Sequence, residues 1–444
     1  MTVAVSATQV TKKHSQYQAL GFATVAFTLC FAVWTLFSII GVRIKQELAL
    51  NDAQFGLLVA TPVLTGALSR LFLGVLSDRF GGRRVLALLM LLTSGAVYAV
   101  SIVSRFDLFL LTALGLGFAG GSFAAGVSYV SNWFDRSSQG TALGVFGAGT
   151  VGTAITSFGA PLLVAAYGWR QTVDIYAAVL AAGAVLFYLF TQEDPFSAGR
   201  ASGAIRPRKL GDQLAPLSKL QVWRFSLYYF FVFGAFVALA SWLPRYYMGM
   251  YGLSLARAGL FTTAFALPAG LFRALGGWVS DRVGARTVMY ATFVVSVVAC
   301  FLLSYPQTDY AVHGIRGIIH FSFGIPLSSF AGLTIVLGFF MAIGMAAVYK
   351  HIPVYYPQHV GAVGGLVGAI GGLGGFFLPI AFGMMNDITG VWTSCFMLLF
   401  LLVGAALLWM HGAIRYMERK VPGLRQLPQL PEMAELHPAN PSSH

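Results

Sequence analysis

Twelve times along this chain a stretch of roughly twenty residues passes with almost no charged side chain, and twenty apolar residues is the length a helix needs to cross a bilayer. The stretches lie near residues 19–43, 54–76, 85–104, 108–131, 140–165, 171–191, 224–247, 256–279, 287–304, 328–349, 361–384 and 389–411. A water-soluble fold cannot hide so many. Apolar residues make up 57% of the 444 and charged ones 10%, against about 25% charged in an ordinary soluble domain. The sequence therefore predicts an all-α membrane protein of 12 transmembrane helices, with the lipid bilayer as its main solvent. The first apolar run is too long for a signal-peptide core and is read as a retained helix. Cys30, Cys300 and Cys395 all sit in apolar runs, which excludes a disulfide framework or a cysteine-rich metal site.

The formal net charge of +13 would suggest a nucleic-acid partner in a soluble chain. Here its distribution gives it another meaning, and no nucleic-acid partner is expected. With both termini inside, 19 Lys and Arg residues fall in cytoplasmic segments, seven in outside loops (Arg43, Lys45, Arg105, Arg170, Arg245, Arg257 and Arg316) and two within spans. Positive charge concentrates on the cytoplasmic side, so both termini are expected in the cytoplasm of a protein of the cytoplasmic membrane. The one long polar stretch in mid-chain divides the sequence into a tail (1–18), a six-helix bundle (19–191), a linker (192–223), a second six-helix bundle (224–411) and a C-terminal tail (412–444).

The two halves repeat each other. Leu50, Gly56 and Leu57 match Leu253, Gly259 and Leu260, and Arg70-x3-Gly74-x2-Ser77-Asp78-Arg79-x-Gly81-x-Arg83 matches Arg273-x3-Gly277-x2-Ser280-Asp281-Arg282-x-Gly284-x-Arg286, always 203 residues apart. Gly140, Gly144 and Gly147 match Gly361, Gly365 and Gly368 at an offset of 221, the extra residues falling around 305–325. Duplicated helical units are the mark of transporters whose halves rock about a central site. The stretch from Gly74 to Arg84, echoed at Gly277–Arg286, resembles the cytoplasmic loop motif of the major facilitator superfamily. The glycines are expected to let helices approach; the Asp and Arg side chains are expected to form charge pairs that one conformation makes and the other breaks.

Arg70 and Arg273 lie eight residues inside Asp78 and Asp281, about 12 Å along a helix. They therefore sit near mid-bilayer in equivalent places of the two halves. An arginine there is expensive and marks a functional site. All 15 acidic residues fall in loops, tails or helix ends, so no carboxylate is placed to neutralise the pair. Two guanidinium groups facing one cavity call for an anion from outside, and their planar forks suit planar oxyanions. The glycine runs through Gly147, Gly149 and Gly152 and through Gly368, Gly371 and Gly375 either permit close helix crossing or bring bare backbone up to a small ligand.

These glycine runs, the first ending Ala160-Pro161 and the second ending Phe376-Phe377-Leu378-Pro379, together with Phe31-Ala-Val-Trp34-x-Leu-Phe-Ser38, are similar to the signatures of the nitrate/nitrite porter family, a branch of the major facilitator superfamily. The resemblance covers nearly the whole transmembrane region. It implies nitrate or nitrite held between Arg70 and Arg273, with Phe123, Tyr229 and Phe233 as the aromatic residues against the flat anion. It also implies a substrate-binding role for Gly147, Gly149, Gly368 and Gly371. The chain departs from the family at Gly149-Thr150-Val151-Gly152, where an asparagine is usual in place of Thr150. Thr150 keeps one donor and loses the amide, which bears on the preference between nitrate and nitrite.

Coupling is read from Lys350-His351, which could titrate near the cytoplasmic end of the tenth span. Nitrate import must oppose the membrane potential, so the expected activity is proton-coupled nitrate uptake, with nitrate/nitrite exchange as the alternative and another small-anion carrier behind it. An enzyme is not expected: there is no H-E-x-x-H, no Cys/His metal spacing and no paired carboxylate beside a span. Neither a cofactor nor a metal is expected, and the chain is expected to act as a monomer.

Overall fold

The computed structural model describes residues 2–134, 136–194, 218–356 and 360–420, with the side chains of Asp78, Arg79 and Asp281 falling outside those described. Eleven helices are long and apolar enough to cross a membrane. They are α1 (Ser15–Leu48), α2 (Asp52–Gly74), α3 (Gly82–Ile102), α4 (Phe106–Ser131), α5 (Ala142–Tyr167), α6 (Trp169–Phe190), α7 (Leu220–Tyr251), α9 (Ala285–Leu303), α10 (Leu327–Ile352), α11 (Val363–Thr389) and α12 (Ser394–Tyr416). The twelfth span, α8, is a pair of helices, Leu255–Leu271 and Arg273–Ser280, that meet at 41°. Large apolar side chains such as Leu92, Leu111, Leu189, Leu401 and Leu408 are more than 60% exposed, a surface stable only against hydrocarbon.

The expected boundaries shift at the ends. The helix of α1 already begins at Thr2, so the polar segment expected as a tail continues it; no Gly or Pro interrupts residues 2–18. The α12 helix likewise runs on to Lys420. Most of the linker, 195–217, and the tail from 421 lie outside the described residues. Among the described residues the only strands are β1 (Thr308–Gly314) and β2 (Gly317–Phe323), an antiparallel hairpin with Tyr310 opposite Phe321. This hairpin occupies the stretch by which the second half exceeds the first. It joins α9 to α10 on the face opposite the chain ends, here the distal face.

The halves meet along two seams related by the sequence repeat. In one, α2 crosses α11; in the other, α8 crosses α5. A Cβ at Gly56 would lie 2.3 Å from the carbonyl oxygen of Pro379, and one at Gly259 would lie 2.2 Å from that of Ser157. Nearer the centre, Ala67 packs on Gly372, and Gly270 packs on Val151. Adding 203 to each α2 position and subtracting 221 from each α11 position converts the Ala67–Gly372 contact into the Gly270–Val151 contact. Backbone meets backbone at these points, as small residues permit. The seams run from the distal face to mid-membrane and end at the two arginines.

Irregular turns gather where the seams end. A 3-10 turn, Phe118–Gly121, interrupts α4, a second, Ala148–Val151, interrupts α5, and a π-turn, Phe230–Ala235, interrupts α7. Such breaks occur at Gly-rich points and at functional sites. On the terminal face, Gly81 and Gly284 adopt φ of 90° and 84°, left-handed conformations that end one helix and turn the chain into the next. Gly74 and Gly277 make no close helix contact here: no described atom lies within 4 Å of a Cβ built on either. Close approach instead occurs at Gly82, whose Cβ would lie 2.6 Å from that of Tyr129.

Candidate anion site between the two halves

Arg70 is buried on α2, held by two backbone carbonyls. Its Nε donates to Gly120 O at 3.0 Å in the 3-10 turn of α4, and its Nη1 reaches Gly368 O on α11 at 3.4 Å. Arg273 begins the second segment of α8, just after the bend, and is half-buried. Its Nη2 donates to Tyr229 Oη at 3.3 Å. Each guanidinium carbon lies 5.8 Å from the ring centre of Phe123. The two therefore sit no more than twice that distance apart, one contributed by each half. Among the described residues neither takes part in an ion pair.

Aromatic rings enclose the pair. Arg70 also lies 5.6 Å from the Trp34 ring and 5.2 Å from that of Phe233, while Arg273 lies 5.9 Å from Tyr349. Tyr229 stacks on Phe233 at 5.1 Å and meets Tyr349 edge-on at 4.9 Å. Behind Phe123 stand Phe27 and Phe146, themselves stacked at 4.8 Å. The rings present π faces to the cations and leave little polar surface to compete for them. Their low dielectric strengthens any charge interaction formed inside.

Phe123, Tyr229 and Phe233 thus all gather at the arginine pair. The glycines divide. Gly147 faces Arg273, with a Cβ 4.0 Å from its Cδ and Nε, and Gly368 supplies the carbonyl to Arg70 while leaving room for the Tyr349 hydroxyl. Gly149 and Gly371 lie directly against rings: a Cβ would come within 2.5 Å of Phe27 and 2.2 Å of Tyr229. Thr150 is buried and its hydroxyl donates to Gly147 O at 3.1 Å, so its one proton is committed to its own helix rather than presented to an anion. His351 is buried away from the cleft. Successive residues turn by about 100° around a helix, so with Tyr349 at the site His351 points into the second bundle. There it packs on Phe225 and Tyr355 and borders a cavity of about 10 Å³ shared with Arg224 and Arg286. Lys350 is half-buried beside it.

The loop-motif residues stand apart from this site, on the terminal face. Arg83 donates to Tyr188 O at 2.5 Å and lies over that ring, and Arg84 pairs with Glu193 at 2.8 Å. Arg282 lies over Trp278 and Arg286 over Tyr290. Trp34, Tyr349 and the Gly120 carbonyl belong to the site without having been singled out. Trp34 lies within the Phe31–Ser38 segment of α1. Tyr349 adjoins Lys350-His351 in sequence, but the helical turn sets His351 on another face of α10.

The sequence model of the Major Facilitator Superfamily matches residues 22–315 and 250–435. A probable nitrate/nitrite antiporter NarK1 of Thermus thermophilus is 43% identical over 416 residues, covering 90% of this chain and 92% of that protein. A nitrite extrusion protein of Bacillus subtilis is 31% identical, over 86% of this chain and 91% of its own. Among solved structures, a bacterial homolog of the human lysosomal transporter Spinster, inward-facing and occupied, superposes with a TM-score of 0.68 at 17% identity, covering 90% of this chain and 97% of that one. That last likeness bears on the fold alone.

Proposed function

The chain belongs to the nitrate/nitrite porters of the Major Facilitator Superfamily, and we propose that it carries nitrate and nitrite across the cytoplasmic membrane by alternating access, with the anion held between Arg70 and Arg273. The observation that carries this reading is the pair of guanidinium groups, one from each half, each 5.8 Å from the Phe123 ring centre and without a carboxylate partner among the described residues. A planar oxyanion entering between them would take the outer N–H groups of both forks in paired hydrogen bonds. The Gly368 contact of Arg70, long at 3.4 Å, would be the first to yield. Phe123, Phe233 and Tyr229 would flank the anion and exclude water. Both termini lie in the cytoplasm in this reading.

Two cations facing one cleft repel, so the empty carrier resists drawing its halves together around the site. One bound anion offsets that repulsion and lets the cleft close toward either side. A carrier that changes state more readily when loaded is an exchanger, which favours nitrate uptake against nitrite release. The name of the Thermus thermophilus relative supports the same reading. Proton-coupled nitrate uptake remains the second reading, resting on Lys350-His351. The placement of His351 beside Arg224 and Arg286, facing away from the cleft, weakens it, because the imidazole does not line the path of the anion.

Purified protein in liposomes tests both. Nitrate uptake is expected to depend on internal nitrite and to continue when the proton gradient is collapsed. Uptake that follows an inward proton gradient and ignores internal nitrite would overturn exchange in favour of symport.

A further inference from the structure

A second pair of cations, again one from each half, stands at the distal end of the same cleft. Lys45 near the end of α1 and Arg245 on α7 border a cavity of about 240 Å³ whose other walls are Val42, Gln46, Ala49, Leu50 and Met248. Lys45 is eleven residues beyond Trp34 and Arg245 twelve beyond Phe233, about 16 to 18 Å along their helices from the arginine site. The cavity therefore lies between the ends of α1 and α7, on the distal side of that site. Both of its cations are held by one carboxylate: Asp52 Oδ1 is 2.9 Å from Lys45 Nζ and 3.3 Å from Arg245 Nη2. Asn386 of the second half donates to the other oxygen of Asp52, and Asp387 accepts the backbone N–H groups of Asp52 and Ala53. Arg245 Nε is buried without a hydrogen-bond partner, and the guanidinium lies 4.5 Å from the Trp392 ring.

We propose that Lys45 and Arg245 form a recruiting site for small planar oxyanions at the distal mouth, and that the Asp52 carboxylate is a tethered occupant which an incoming anion displaces. A carboxylate is itself a planar, singly charged oxyanion, so the cations that hold it match nitrate or nitrite in shape and charge. Asp52 and Lys45 belong to the first half and Arg245 to the second. The Asp52–Arg245 pair therefore closes the distal face, and its exchange for a free anion loosens that closure while loading the distal mouth. The site is asymmetric, unlike the central one: in the repeat Lys45 corresponds to Met248 and Arg245 to Val42. The inference rests on the proposed anion transport for its choice of ligand.

Nitrate binding to the purified full chain, measured by titration calorimetry, tests it. The background carries Arg70→Lys and Arg273→Lys to weaken the central site. Asp52→Asn is expected to tighten nitrate binding about tenfold in that background, and adding Arg245→Gln is expected to remove the gain. Lys45→Gln with Asp52→Asn keeps the local net charge of the wild type and guards against misfolding; it should retain part of the gain through Arg245. Nitrate affinity unchanged in both Asp52 variants, or a gain that survives Arg245→Gln, would overturn the proposal. Failure of the central reading shows separately, as nitrate affinity in otherwise unaltered protein that is indifferent to Arg70→Lys and Arg273→Lys.

Discussion

At the scale of single residues the two central arginines are not equivalent, although the repeat places them so. Among the described residues Arg70 is tied to two carbonyls and three rings, whereas Arg273 holds the Tyr229 hydroxyl and two rings. Lysine at either position keeps a charge but loses the fork, and nitrate uptake is expected to fall at least 100-fold in both variants. Uptake in proteoliposomes checks this. Alanine should separate them: Arg70→Ala also strips partners from buried carbonyls, at about 1–3 kcal/mol for each group left unpaired, so its melting temperature in detergent should fall well below that of Arg273→Ala. Tyr229→Phe retains the stack on Phe233 while removing the acceptor that orients Arg273, and KM for nitrate should rise roughly tenfold with expression unchanged. The arginines were legible in the sequence because almost no other charge shares their spans. Tyr349 was not, since one tyrosine in an apolar helix gives no sign of which way it faces. Thr150 carried a visible departure from the family pattern, but its bond to Gly147 O depends on a local 3-10 turn that spacing alone does not reveal.

Among the elements, the glycine-rich helices α5 and α11 carry the sharpest contrasts. Gly371 has no room for a methyl group, with Tyr229 Cδ1 2.2 Å from where it would sit, whereas Gly147 has an open position 4.0 Å from Arg273. Gly371→Ala must displace a site aromatic or the helix and is expected to abolish uptake and lower the melting temperature. Gly147→Ala should fold normally and raise KM several-fold by crowding the guanidinium. Gly365→Ala, where no described atom lies within 4 Å, is the tolerated control. Apolar length made the twelve spans legible, and the repeat made the equivalence of the two halves legible. It could not indicate the turns that break α4, α5 and α7, because a 3-10 or π turn needs the same apolar and small residues as the helix around it. The hairpin at Thr308–Phe323 was visible only as surplus length, although Tyr310 and Val312 alternate opposite Ile319 and Phe321.

At the scale of the whole molecule, the two seams make a joint prediction. Both are packed from the distal face inward, Gly56 against Pro379 and Gly259 against Ser157, so this conformation is closed on that side. If each half moves as one body, forcing one seam apart must open the other. Gly56→Val places a side chain where even a Cβ lies 2.3 Å from a carbonyl oxygen, a clash relieved only by separating α2 from α11. Ser157→Cys, a near-isosteric change at a buried position of the opposite seam, then serves as the reporter. Cys30, Cys300 and Cys395 are buried and should stay silent toward a membrane-impermeant maleimide. With Gly56→Val, labelling of the cysteine at 157 from the distal face is expected to speed up at least tenfold, a population shift of about 1.4 kcal/mol or more. An unchanged rate in a protein still correctly inserted would mean that the seams yield independently. Rocking of two rigid halves about the arginine pair would then fail as the motion that exposes the anion to each side in turn.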